Sequence, residues 1–477
     1  MKFSTALFAR FPSVCLAVAG LLALPPARLA SQEIDRPLHL KAGPQLLIDD
    51  YLIAESSFLT RVVNNPQKLP KPVVTGGKKG DENFQPYISV LRDPQTRRFR
   101  MWYNTGVGIS QSHVGYIESE DGINWLRPHR VLKDPATIKF GVSVVDRGVN
   151  FSSPEKRYVL GYYYKDGLMI ATSAEGLDWT LLAPDSVLQH NHDINSLRWD
   201  PIRNRFLCTF SVWVEGQWAE RRRIPHESVS EDLMHWKKPW PILTPKIGVP
   251  LERGETQFYA MGGVLARGDL LIGLVKVLRD DLNATPGKTG AEMGDLDRKA
   301  AGLGYTVLAW SRDGETWQRD YEPFIPNNPL PGSWDHAMAW ADEQLVVGDE
   351  TFVYYAGYAR GHKVARFDER QIGLARMPRD RYVSRDADLN VGRLLTQALL
   401  IDASSVTVNA NVVGTMRVRL LAANGRQKRG FDWVEIRGDA VAHPVTWKAG
   451  VGSVGKEPVR LEFELKEAQL FGFDLNK

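Results

Sequence analysis

Four near-copies of one heptapeptide punctuate the middle of the chain: SEDGINW ending at Trp125, SAEGLDW at Trp179, SEDLMHW at Trp236 and SRDGETW at Trp317. Such self-similarity restricts a fold more than composition does, because each copy must belong to one supersecondary unit stacked on its neighbours. The tryptophans are 54, 57 and 81 residues apart, and the longest interval holds a polar, Gly-rich insert, Asp281 to Gly302. That insert reads as a loop.

A second pattern precedes the copies. RDPQTRRFRMWY runs from Arg92 to Tyr103, SPEKRYVLGYYY from Ser153 to Tyr164, and WDPIRNRFLCTF from Trp199 to Phe210. ARGDLLIGLVKV (Ala266 to Val277) and GDETFVYYAGY (Gly348 to Tyr358) are looser versions. Each is a polar turn followed by a β-branched and aromatic run, which is how a hairpin reads. In the heptapeptide, Asp-Gly supplies a tight turn and Trp a flat apolar surface for the next sheet. Units of ~50 residues with about four strands are what a β-propeller blade requires.

The expected fold is therefore all-β: a five-bladed propeller over 40–384, with blades at 81–130, 135–185, 190–245, 252–322 and 333–384. LLIDDYLIA (Leu46 to Ala54) reads as a strand closing the ring against the last blade. An array of β-sandwiches with chance Trp spacing is the competing arrangement. From 385 to 477 the texture changes to long alternating strands with an Asn424-Gly425 hairpin signal, which reads as a C-terminal β-sandwich.

The first thirty residues read as a signal peptide. Lys2 and Arg10 precede the apolar run Val14 to Leu24, which is too short to span a bilayer comfortably. No later segment is apolar enough for a span, so a secreted or periplasmic location is expected. Of two cysteines, Cys15 lies in the leader, which leaves Cys208 alone and no intramolecular disulfide. The formal charge is +4, and Lys2, Arg10 and Arg28 stand in a leader without acids, so the remainder is close to neutral. That balance gives no argument for nucleic acid. No phosphate-loop or nucleotide fingerprint occurs.

The five-blade count, SRDGETW, IGLARMPRDRYVS (Ile372 to Ser384) and GRLLTQALL (Gly392 to Leu400) together resemble the five-bladed propeller glycoside hydrolases. The resemblance is strongest to bacterial proteins labelled family 32 N-terminal-like, related to families 43, 68 and 130. SxDGxxW also resembles the Asp-box of sialidases, a structural turn away from the site. The resemblance implies a site built from acids on the inner strands near the propeller axis. Glycoside hydrolysis needs one carboxylic acid to protonate the leaving oxygen and one carboxylate as base or nucleophile.

Acids at the start of each blade's first strand are the catalytic candidates. Glu255 in RGETQFYAMGG is the expected general acid, because Tyr259 and Met261 nearby would desolvate it. Asp193 in NHDINSLRW is the expected base or nucleophile. Glu82 in GDENFQPYISV, beside Asp81, and Asp335 in SWDHAMAW are the supporting acids. The second blade offers only Lys139 there, with Asp146 deeper. Each acid has a competing reading as a turn cap.

Gln85, His113, His192, Tyr259, Trp334, His336 and His362 are the substrate-binding candidates, against the reading of satisfied structural side chains. Trp102, Trp213 and Trp218 are further stacking platforms. No cofactor is expected beyond a structural calcium ion on the axis, for which the resemblance points to His192 or His362. Arg221 to Arg223 read as a solvated loop, and facing the axis they would indicate an anionic sugar. The chain lacks the Trp-Met-Asn-Asp-Pro-Asn-Gly and Glu-Cys motifs of the fructan-cleaving enzymes, which argues against invertase-type activity. Arg92 to Pro94 match their Arg-Asp-Pro string but sit in a hairpin, so Asp93 takes no role from it.

The expected function is a secreted glycoside hydrolase acting on an oligo- or polysaccharide. Two alternatives stay open: a non-catalytic glycan-binding propeller, and a mannoside-type phosphorylase. The phosphorylase would need a basic phosphate cradle, hinted at only by Arg221 to Arg223 and Arg279.

Overall fold

The structure, a computed structural model, describes residues 36–76, 81–83, 87–106, 112–216, 221–254, 256–365 and 368–477. The leader lies outside these residues. Among the described residues nearly every element is a strand, broken only by four 3₁₀ turns. No helix among the described residues is long and apolar enough to cross a membrane.

Five antiparallel meanders of four strands, the second with a fifth short strand (Leu188–Gln189), carry most of the described chain. They start with Ile88–Arg92, Phe140–Asp146, Asn195–Asp200, Thr256–Arg267 and Met338–Val347. These first strands touch one another in chain order, and the fifth returns to the first. A sheet repeated radially in this way leaves only short edges, which is the propeller's solution to the edge-strand problem.

The ring is closed by Gln67–Lys68, which pairs antiparallel with Ala375 and Arg376 as the fourth strand of the last meander. The expectation for Leu46 to Ala54 needs correction. Leu46 pairs with Gly472 and Ile53 with Thr396, inside a ten-stranded sheet shared with the C-terminal strands. Both faces of this segment are apolar, and both are used. Leu47 and Leu52 enter the core of the C-terminal sheet, while Leu46 and Ile48 pack on the fourth and fifth meanders. Strands from Leu38 to Val63 thus belong with the sheet built by Val383–Ala387 and the strands after it, not with the propeller.

The heptapeptide is a turn at the end of the third strand. Ser119 Oγ accepts from Gly122 N (2.9 Å), Asp121 Oδ1 accepts from Ile123 N and Asn124 N (2.8 Å each), and Trp125 Nε1 donates to Gly122 O (3.1 Å). Ser230, Asp232 and Trp236 repeat the pattern. There Leu233 replaces Gly yet keeps φ at 72°. The left-handed conformation costs roughly 1–2 kcal/mol in such a residue. Burial of Leu233 between the second and third meanders offsets it.

Each repeat tryptophan seals its meander to the preceding one. Trp125 packs with Phe352 and Tyr354 of the fifth, Trp179 with Trp102 and Val114 of the first, and Trp317 with Leu207 and Val229 of the third. Asp93 has the capping role expected of its hairpin: Oδ1 accepts from Gln95 N (2.9 Å) and Thr96 N (2.8 Å).

Trp317 also donates through Nε1 to Oε2 of fully buried Glu227 (2.6 Å). Burial raises the Glu227 carboxyl to about 8. A raised acid pKa means the folded state holds a proton that the unfolded state releases, so stability falls as pH rises from about 4.5 to about 8. Glu227→Gln keeps the acceptor and removes the titration. It is expected to add a few kcal/mol at pH 8.5 and almost nothing at pH 4.5. Denaturant unfolding at the two pH values checks this, and an equal effect at both would refute it.

Candidate active site

Four buried charges close the middle of the ring. Lys276 Nζ lies 2.5 Å from Asp342 Oδ1, and Arg198 Nη1 lies 2.8 Å from Glu343 Oε2. Backbone amides complete the set: Ile88 N donates to Asp342 Oδ2 (2.9 Å) and Val90 N to Glu343 Oε2 (3.2 Å). Burial pushes the Glu343 carboxyl up and the Lys276 ammonium down. These groups come from the first, third, fourth and fifth meanders, and their mutual commitment leaves them structural.

Beyond this plug, one end of the axis is lined by rings. Tyr87 from the first meander, Phe140 and Tyr163 from the second, Ile194 from the third, Tyr259 from the fourth and Trp340 and Tyr358 from the fifth form one cluster. Tyr259 stacks on Trp340 at 4.5 Å and 24°, and His362 meets both rings edge-on at 5.0 and 5.4 Å. His192 stands edge-on to Trp213 at 5.5 Å and to Tyr259 at 6.3 Å. Its Nδ1 is 3.1 Å from Asp193 Oδ1, and the Asp193 side chain keeps 26% of its surface exposed.

Burial, then the neighbouring Arg223, pushes His192 far below its usual range, so the ring is neutral at any working pH. Burial and the nearby Tyr259, Asp193, Tyr358 and Asp342 push the Tyr87 phenol well up, so it stays a hydroxyl. That hydroxyl and the Asn195 amide are buried with no hydrogen-bond partner among the described residues. A buried orphan polar group costs roughly 1–3 kcal/mol.

Of the sequence candidates, the structure brings together Asp193, His192, Tyr259 and His362. Glu255 and Gln85 lie outside the described residues. Arg222 donates to the carbonyls on either side of Glu255, those of Gly254 and Thr256. The Glu82 carbonyl accepts from Thr105 Oγ1 (2.6 Å) at the edge of the first meander. His113 binds Asp134 through Nδ1 (2.6 Å) on that meander's third strand.

Asp335 is not in the axial cluster. It holds Lys68 at 2.7 Å and accepts from Tyr355 OH at 3.2 Å, so it fastens the closing strand. His336 is tied to Thr285 Oγ1 of the insert (2.8 Å) and to Asn328 O of its own loop (2.7 Å). Trp334 stacks on Tyr355 at 5.4 Å, and Trp102 is buried with Nε1 on Gly176 O. Trp218 lies outside the described residues. Arg279 is committed to Asp281 and Leu251 O, which removes one hint of a phosphate cradle.

No group of three His, Cys, Asp or Glu converges among the described residues. Calcium takes six to eight oxygens, and the aromatic surroundings of His192 and His362 do not fit it.

Tyr87, Asn195, Trp340 and Tyr358 were not among the sequence candidates. Tyr87 and Asn195 flank strand starts already searched for acids, so widening that search to any polar side chain finds them.

No family model matches the chain, and no curated protein matches it. Among solved structures it is similar to a glycoside hydrolase (13% identity, 67% of this chain and 94% of the other, TM-score 0.43). A glycosyl hydrolase from Bacteroides ovatus matches at 15% identity, over 72% and 95% of the two chains, with TM-score 0.42. A Bombyx mori GH32 beta-fructofuranosidase matches at 10% identity, over 87% and 95%, with TM-score 0.40. Similarity at this level brings no substrate or mechanism to this chain.

Proposed function

We propose that this protein is an exported glycoside hydrolase whose site is the aromatic end of the propeller axis. The observation that carries the reading is the meeting of Asp193, two orphan polar groups (Tyr87 and Asn195) and stacked rings from several meanders in one place. Aromatic faces hold sugar rings by their apolar C–H faces, and orphan polar groups take up sugar hydroxyls. Asp193 is the base or nucleophile. Glu255, which directly precedes Thr256 in the sequence, is the acid that protonates the leaving oxygen. The leader-like first thirty residues support export.

The test is a hydrolysis screen of the leaderless protein on plant and algal polysaccharides and aryl glycosides, with Glu255→Gln alongside. Gln keeps the shape and removes the donated proton. Cleavage by the wild type and a loss of about 10²–10⁴-fold in the variant is the expected result. Binding without cleavage by either form would replace the hydrolase with a glycan-binding propeller.

A further inference from the structure

Arg223 has a setting unlike the other arginines near the ring's centre. Its register partner is Trp213, and its guanidinium lies 4.7 Å from the Trp213 ring centroid and 4.6 Å from that of Tyr259. It is thus held between two rings of the site, with its backbone N–H on Gln257 Oε1 (2.8 Å). Nε and Nη1 are buried without a hydrogen-bond partner, and Arg223 forms no ion pair among the described residues. Arg198, Arg279 and Arg319, also close to the fourth meander, each hold a carboxylate. Arg221 adds a second guanidinium, 5.6 Å from the same Trp213 ring.

A half-buried guanidinium without an anion is held at a desolvation cost that ring contacts only partly repay. The planar fork between two rings suits an anion carried on a sugar that stacks beside it. Building on the glycan-active reading, we infer that the site takes an anionic sugar residue, and that Arg223 receives its carboxylate or sulfate group. Trp213 and Tyr259 fix the plane of the guanidinium, so the anion is accepted in one orientation next to Asp193. The sign of the charge then discriminates among glycans before any linkage is read.

Calorimetric titration of the leaderless protein tests this with paired probes. These are uronate oligosaccharides against their carboxyl-reduced counterparts, and sulfated oligosaccharides against their desulfated ones. The expected result is that one anionic member binds and that neutralising it weakens binding about 10- to 100-fold. Which pair responds identifies the anion. Arg223→Met should abolish the difference and Arg223→Lys restore part of it, with folding verified by thermal unfolding. Should Arg223→Met fail to fold, the wild-type comparison of each pair decides alone. Neutral members binding as tightly as the anionic ones would overturn the inference and leave the glycan reading standing. Failure to bind any member of the panel, neutral or anionic, would take both down.

Discussion

Asp193→Asn is expected to lower kcat/KM on any glycan the protein cleaves by about 10²–10⁴-fold, with little change in KM. Asn has nearly the same shape and keeps a carbonyl oxygen toward His192, so the surrounding rings have no reason to move. What it loses is the negative charge that takes a proton from water or attacks the anomeric carbon. Because His192 is neutral, it cannot substitute as a charged partner. Thermal unfolding of the variant within a few degrees of the wild type would show that the loss is chemical. A fall of less than tenfold in a folded variant would remove Asp193 from the reaction.

Lys276→Met is expected to destabilise the fold by about 3–5 kcal/mol, because it strands a buried carboxylate whose counter-charge is gone. Among the described residues Asp342 would keep only the Ile88 N–H. The double variant Lys276→Met with Asp342→Asn should recover part of the loss, since the amide oxygen still accepts from Ile88 and no charge is stranded. Denaturant unfolding of the two single variants and the double gives the coupling directly. A single-variant cost below about 1 kcal/mol would mean that water reaches this pair and that the axis is open through the ring.

The meanders were legible because turn chemistry and aromatic alternation act within a few residues. The heptapeptide copies, the hairpin turn at Asp93 and the core strands all answer to such local rules. Ring closure was not legible. Leu46 to Ala54 is apolar on both faces, which fits a strand between two bodies as well as one completing a blade, and only the long-range pairing with Gly472 decides. A two-residue strand such as Gln67–Lys68 carries too little pattern to announce itself.

The same limit applies to the site. Asp193 and Asp335 look alike in sequence, each at a strand start beside a histidine. One faces the axial rings and the other fastens Lys68, a difference set by the closing strand some 267 residues away in sequence. The axial charges did leave a trace. Asp342 and Glu343 stand side by side after the apolar run Met338 to Ala341, and two acids in such a place must find buried partners. Arg223 could be read only conditionally, because a run of three arginines says nothing about which of them turns inward.

The proposed site holds glycan at the aromatic end of the axis, beside Asp193. A crystal structure of Asp193→Asn soaked with the glycan that binds the wild type tests it most directly. A sugar ring is expected within hydrogen-bond distance of residue 193, packed on Trp213 or Tyr259, with Tyr87 or Asn195 meeting one of its hydroxyls. Sugar found instead in the groove beside Tyr51 and Trp310, or on the C-terminal sheet, with the axial end empty, would contradict it.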